Sequence, residues 1–250
     1  MRNLANIRRC GLNKGANKLL PETRAYNTRV VADGGYIQDI NVVDAEIKAA
    51  KDASEYSTLL RFYPEKGGIK IDSRLGVNYV TKIYDVKGAS GDIIIAAEID
   101  QPILQIDGSY LLDEIVLQLP AIAGTATTCN ILFEFEYKII GSSQRFGYPS
   151  TALEALRFYL RIANDRSFDF LGYMDSFKSL SSTYTLSDIN FETISLQTDF
   201  GNSKLNVYVN NNYICEVAGT NKDGNLVFAL GDTGLEANGY LKSAKVRQWN

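Results

Sequence analysis

The sequence predicts an all-β sandwich preceded by a short non-β portion, and three observations carry that reading. From about residue 56, short runs rich in β-branched and aromatic side chains recur between clusters of Gly, Asn, Asp, Ser and Pro. Within residues 131–140, Phe133, Phe135 and Tyr137 alternate with Glu134, Glu136 and Lys138, as a strand with one buried and one wet face requires. The segment LNVYVNNNYICEV repeats this alternation on both sides of Asn210, Asn211 and Asn212, where asparagine tolerates the positive φ of a tight hairpin. Many short strands separated by turns rather than helices make a sandwich, not an α/β sheet.

Taken in order, the first 35 residues read as an extended arm punctuated at Gly11, Gly15, Pro21, Gly34 and Gly35. From residue 37 to 51, Ile37, Ile40, Val43 and Ile47 recur at spacings of three and four, which predicts one amphipathic helix packed against the sandwich or a neighbouring subunit. Strands are expected at 57–63, 78–84, 92–98, 103–106, 115–119, 131–140, 155–162, 168–173, 193–198, 204–209, 213–217, 226–230 and 241–248. The division that follows is an arm and helix over residues 1–53 and a sandwich over residues 54–250.

Composition removes whole classes of chemistry. The chain has 250 residues and no histidine, so a Ser-His-Asp or Cys-His catalytic set, histidine-ligated zinc and an imidazole base are excluded. Cys10, Cys129 and Cys215 are odd in number and far apart, which favours reduced thiols and synthesis in a cytoplasm over a disulfide framework. No apolar run reaches membrane-spanning length, and Asn3, Asn6, Arg8 and Arg9 interrupt any signal-peptide core. The net charge of −3 hides an asymmetry. Residues 1–30 carry seven basic side chains (Arg2, Arg8, Arg9, Lys14, Lys18, Arg24, Arg29) against Glu22, a net of +6, leaving −9 for residues 31–250. A basic arm on an acidic body suggests docking on something anionic, nucleic acid or an acidic partner surface. A solvated terminus and an organellar transit peptide are the other readings of the same arm.

The order of the strand segments, ILFEFEYKI, then TISLQTDFGNSKLNVYVNNNYICEVAG, then NLVFALGD and GYLKSAKVRQWN, resembles the laminin G and concanavalin A-like superfamily over residues 75–250. The resemblance implies a jelly-roll sandwich and says little about function. A second resemblance lies in TRVVADGGYIQDINVVDAEIKAA and KIYDVKGASGDIIIAAEIDQPIL. Their layout is similar to virion proteins of bacteriophages infecting Bacteroides-type bacteria, tail, fibre or head-decoration components in which a leader and short helix precede a laminin G-like module. The asparagine-rich string those proteins carry after the turn at Gly88 is missing here, and no functional residue transfers.

Three constellations could carry chemistry. Glu134 and Glu136 place two carboxylates on one strand face about 7 Å apart, near a glycosidase separation. Sandwich glycosidases of related fold use three acids in an E-x-D-x-x-E arrangement, however, and Ile139 stands where the third is needed, so a solvated face is the preferred reading. Asp85, Asp92, Asp100 and Asp107 fall in or beside expected loops and could ligate calcium, but their spacing matches no ligand loop and turn chemistry explains them. Tyr110, Tyr148, Tyr173 and Tyr184 suit sugar stacking as well as strand surfaces and interfaces. Gly88 and Gly91 open no helix and precede no Lys-Ser/Thr pair, so no phosphate loop is present.

The expected protein is a non-enzymatic, cofactor-free structural component of a phage virion, made in the host bacterial cytoplasm. Arg8, Arg9, Lys14, Lys18, Arg24 and Arg29, with Ile37, Ile40, Val43 and Ile47, are the residues expected to anchor it to other virion proteins or to further copies of itself. A membrane is not an expected partner, and neither is nucleic acid once the body is weighed with the arm. The alternative is a carbohydrate-binding adhesion module that recognises bacterial surface glycans.

Overall fold

A computed structural model of the chain describes residues 19–122, 130–140, 144–146, 158–173, 176–179, 184–199, 202, 204–218, 228–231 and 237–249. Two helices, α1 (Pro21–Ala32) and α2 (Ile40–Asp52), flank a two-residue strand β1 (Tyr36–Ile37). There follow β2 (Leu59–Tyr63), β3 (Gly68–Arg74), β4 (Val77–Ile83), β5 (Ile93–Ile94), β6 (Ile103–Leu104), β7 (Tyr110–Ile115), β8 (Leu117–Gln118) and β9 (Asn130–Ile139). The chain continues through β10 (Gln144–Phe146), β11 (Phe158–Ile162), β12 (Phe168–Tyr173), β13 (Ser176–Ser179), β14 (Glu192–Asp199), β15 (Lys204–Val209), β16 (Asn212–Ala218), β17 (Ala229–Leu230) and β18 (Ala237–Trp249).

The strands form two antiparallel sheets. The larger runs β1-β3-β4-β6-β7-β18-β9-β14-β15-β16, with β2 beside β18 and β5 beside β4; the smaller runs β13-β12-β11-β10-β17-β8. The long C-terminal strand β18 is central, because it pairs with β9, β7 and β2. Phe133, Phe135 and Tyr137 of β9, Ile194 and Leu196 of β14 and Val246 of β18 meet Leu160, Ile162, Phe168 and Leu230 of the smaller sheet in one apolar core. That architecture is a concanavalin A-like jelly-roll sandwich, as the strand pattern predicts.

A second core lies outside the sandwich. Tyr26 and Val30 of α1, Val43 and Ile47 of α2, Leu59 and Phe62 of β2 and Tyr84 bury one another completely or nearly so. Here the structure corrects the expected arm: residues 21–32 are helical. Pro21 supplies a first-turn residue with φ already set, and Tyr26 and Val30, one turn apart, are the large apolar side chains that α1 buries. The second helix starts at Ile40 rather than residue 37, because the Asp39 carboxylate accepts the backbone N–H groups of Asn41 at 2.9 Å and Val42 at 3.4 Å. Ile37 belongs to β1, paired with Gly68. Strand β3 has no counterpart among the expected strands: Gly67 and Gly68 read as a turn, and Lys70, Asp72 and Arg74 dilute the pattern. Neither helix is long and apolar enough to cross a membrane.

The two cores are tied together by the loop from Tyr84 to Asp92. Asp92 is buried and accepts both Arg29 Nη1 contacts, at 2.8 and 2.9 Å, and the Asp85 backbone N–H at 2.9 Å. Lys82 Nζ stands 3.1 Å from the same carboxylate. Asp85, fully buried, accepts from the backbone N–H groups of Phe62 at 2.8 Å and Lys87 at 3.0 Å. Tyr26 closes the knot, donating its hydroxyl to the Tyr84 carbonyl and accepting from Gly68 N–H.

Candidate functional site

The side chains that β9 turns away from the core define the site. Because successive strand residues face opposite sides, burying Phe133, Phe135 and Tyr137 sends Glu134, Glu136 and Lys138 to the outer face of the large sheet. Antiparallel register extends that face into rows. One row reads Lys245, Glu134, Ser195, Tyr208, Tyr213 across β18, β9, β14, β15 and β16; the next reads Arg247, Leu132, Gln197, Asn206, Glu216. In β18 the pairing passes from Leu241 opposite Tyr137 directly to Ser243 opposite Glu136, so Lys242 is an extra residue. This bulge lets Lys242 meet Glu136 while Ser243 also lines the groove described next.

Helix α2 does not lie flat on this face. Between them runs a groove made of three adjoining cavities of about 380, 520 and 380 Å³. The middle one is walled by Glu46 and Ala49 of α2 and by Ala53 just after it, and floored by Glu134, Thr193 and Lys245. Beyond Ala53 and Glu55 the second holds Thr58, Gln197, Arg247 and Trp249. In the other direction the third holds Val42, Glu65, Glu136 and Ser243. Small alanines leave the room, Ala45 and Ala49 on the helix and Ala53 just after it.

The floor is a mixed ion lattice. Lys245 is 3.2 Å from Glu134 and 3.9 Å from Glu55; Arg247 is 3.3 Å from Glu55 and 3.8 Å from Glu134. Lys242 is 3.5 Å from Glu136 and 3.7 Å from Glu65. Among the described residues Glu134 Oε2 and Arg247 Nε are buried without hydrogen-bond partners, and the charges of Lys245 and Arg247 compensate that carboxylate oxygen. Glu46 stands apart. Burial first, and the charges of Glu65 and Glu136 after it, push its carboxyl up to about 8, so at neutral pH it presents a protonated acid to the groove. At the far end Trp249 is fixed by its indole N–H, which donates to the Thr198 carbonyl at 2.9 Å. Where the sheet runs out beyond the helix, the rings of Tyr208 and Tyr213 meet edge to face at 5.7 Å, and Tyr213 is exposed.

The residues expected to anchor the chain lie elsewhere. Arg8, Arg9, Lys14 and Lys18, with Cys10, fall outside the described residues. Arg24 is exposed on α1, whereas Arg29 is engaged with Asp92 and the Asp85 carbonyl. Val43 and Ile47 are fully buried in the second core, Ile37 packs on it, and Ile40 is half-buried. The four aspartates do not converge. Asp85 and Asp92 face Lys82, Arg29 and backbone N–H groups, and Asp107 caps its own turn through Ser109. Asp100 ends a separate 3₁₀ turn. Among the described residues no group of three or more metal-ligating side chains forms. Of the tyrosines, Tyr110 is in strand β7 and buried rather than in a loop, with Gln38 on its hydroxyl at 3.3 Å. Tyr184 stacks on Phe168 and donates to Glu192. Tyr148 and the Tyr173 side chain lie outside the described residues. Glu134 and Glu136 share a face, but α2 roofs it and lysines neutralise it, so it is neither the open solvated surface expected nor a bare acid pair.

Fold and site together define a concanavalin A-like β-sandwich with a roofed groove on the outer face of its larger sheet. No protein-family model and no curated protein matches the sequence. Among solved structures, the Trypanosoma rangeli sialidase in complex with 2,3-difluorosialic acid is similar at TM-score 0.50 and 10% identity, over 84% of this chain and 37% of that one. The metal-free Emp46p carbohydrate recognition domain (TM-score 0.38, 12% identity) matches 56% of this chain and 82% of its own. The CBM40 of the Ruminococcus gnavus IT-sialidase (TM-score 0.37, 15% identity) matches 52% and 91%. At these identities the likeness concerns the fold.

Proposed function

We propose that the protein is a non-enzymatic carbohydrate-binding module and that the groove between α2 and the large sheet is its binding site. The observation that carries this reading is the composition of the groove. Thr58, Thr193, Ser243 and Gln197 line a channel that alanines wall and Trp249 ends. Sugars need this combination, planar hydrogen bonding around the ring edge and an apolar or aromatic surface for the C–H face. The sialidase whose fold is similar was solved with a sugar derivative bound, which agrees with the reading without carrying it.

Binding is favoured over hydrolysis because Glu134 and Glu136 each share a lysine, Lys245 and Lys242, so neither stands free as a nucleophile or base. The setting is part of the same proposal. Its support is the resemblance of the segments at 28–50 and 82–104 to phage virion proteins, in which such a module would sit on a particle assembled in a bacterial cytoplasm. Isothermal titration and a glycan array on the full chain test the function, with Trp249→Ala and Gln197→Ala beside it. Signal on at least one glycan class that both substitutions weaken is the expected result. A silent array at high protein concentration would sink the proposal.

A further inference from the structure

The charge pattern of the groove points to a ligand class, and we infer that the site takes a neutral, extended glycan chain and rejects acidic sugars. The inference rests on the carbohydrate-binding reading above. Its first support is electrostatic. Lys242 already faces Glu65 and Glu136, and Lys245 and Arg247 both face Glu55 and Glu134. Each of these three cations therefore serves two carboxylates, and an incoming sugar carboxylate would have to displace one of them. It would also meet those four glutamates in a partly desolvated channel where like charges repel more strongly than in water. Neutral hydroxyls face no such conflict. They can accept from Lys245 and Arg247, donate to Glu134 and Glu136, and accept from Glu46 while it holds its proton.

The second support is dimension. The wall of the groove follows α2 from Val42 to Ala53, about 16 Å at the helical rise per residue. Its floor follows β18 from Ser243 to Trp249, about 20 Å at the rise of a strand. Trp249 stands at one end of the channel. A channel that long exceeds one sugar ring, and it can hold successive rings of a chain that lies along the strands, the last of them beside Trp249.

Titration calorimetry on the full chain with neutral hexose and N-acetylhexosamine oligomers of one to five units, and with matched oligomers carrying a sialic or uronic acid, tests both parts. Affinity that rises about tenfold or more from one unit to three for a neutral series, with the acidic oligomers weaker, is the expected result. Acidic oligomers binding as tightly as neutral ones, or a single sugar binding as tightly as a trimer, would overturn the inference and leave carbohydrate binding standing. No heat with any oligomer would overturn both. Glu134→Gln supplies an independent readout: it leaves Lys245 and Arg247 with Glu55 alone and is expected to raise acidic-oligomer affinity about tenfold relative to the neutral series in the folded variant. An unchanged ratio of acidic to neutral affinity in that folded variant overturns the electrostatic account.

Discussion

Asp92 has almost no contact with water, and two cationic side chains and a backbone N–H compensate its carboxylate. Removing one partner of a buried ion pair leaves an uncompensated charge, so Arg29→Ala is expected to cost about 2 to 4 kcal/mol in urea unfolding, with Lys82 retaining the remainder. Gly91 shows the same crowding from the other side. A methyl there would come 2.7 Å from Asp85 Cγ and 2.8 Å from Arg61 Cδ, which explains why this turn carries no side chain. Glu46 makes a prediction with a definite sign. Its folded-state pKa of about 8 lies above the ordinary 4.5, so the native state binds the proton more tightly than the unfolded chain. The stability this proton confers is fully present below pH 4.5 and declines as pH rises to about 8. Melting curves from pH 5 to 9 should fall for the wild type and fall less for Glu46→Gln, which gains about 2 to 4 kcal/mol on it at the alkaline end. Parallel curves would show that Glu46 is solvated and ordinary.

Helix α2 both completes the second core and roofs the groove. Val43 and Ile47 are the buried stripe that the three-and-four spacing predicts, and Ile47→Ala should destabilise by about 2 to 4 kcal/mol, seen as a lowered denaturation midpoint with little change in slope. Helix α1 was illegible for the opposite reason. PETRAYNTRVVA offers Tyr26 and Val30 with polar residues on most other positions, and its stability comes from tertiary partners. Those partners include Asp44, which accepts the Leu20 N–H at 2.8 Å and the Thr23 hydroxyl at 2.5 Å. Strand β9 was legible because residues 133–139 alternate between apolar and charged without interruption. The groove residues gave no comparable signal. Thr193, Gln197, Ser243 and Arg247 are ordinary wet-face positions of separate strands, and only sheet register together with the helix above makes them a channel. The bulge at Lys242 leaves no mark in sequence, since any residue can be the extra one.

At the scale of the molecule, the sandwich and the helical layer share surfaces that neither can leave exposed. Strand β2 is the hinge of this dependence: it pairs with β18 in the large sheet while Leu59 and Phe62 point into the second core. A chain beginning at residue 54 would lose Tyr26, Val30, Val43 and Ile47 from that core, β1 from the sheet edge and Arg29 from Asp92. Burial of each such apolar side chain is worth about 1.5 to 3 kcal/mol, so the summed loss is comparable with the whole stability of an ordinary domain, about 5 to 15 kcal/mol. The truncated protein is therefore expected to aggregate, or to melt more than about 10 °C below the full chain, and to lose the groove wall with it. Size-exclusion chromatography with light scattering, followed by a thermal melt, distinguishes the cases. A truncated protein that stays monomeric and melts with the full chain would make residues 1–53 a separable appendage, and the groove would then have to be defined by the sheet alone.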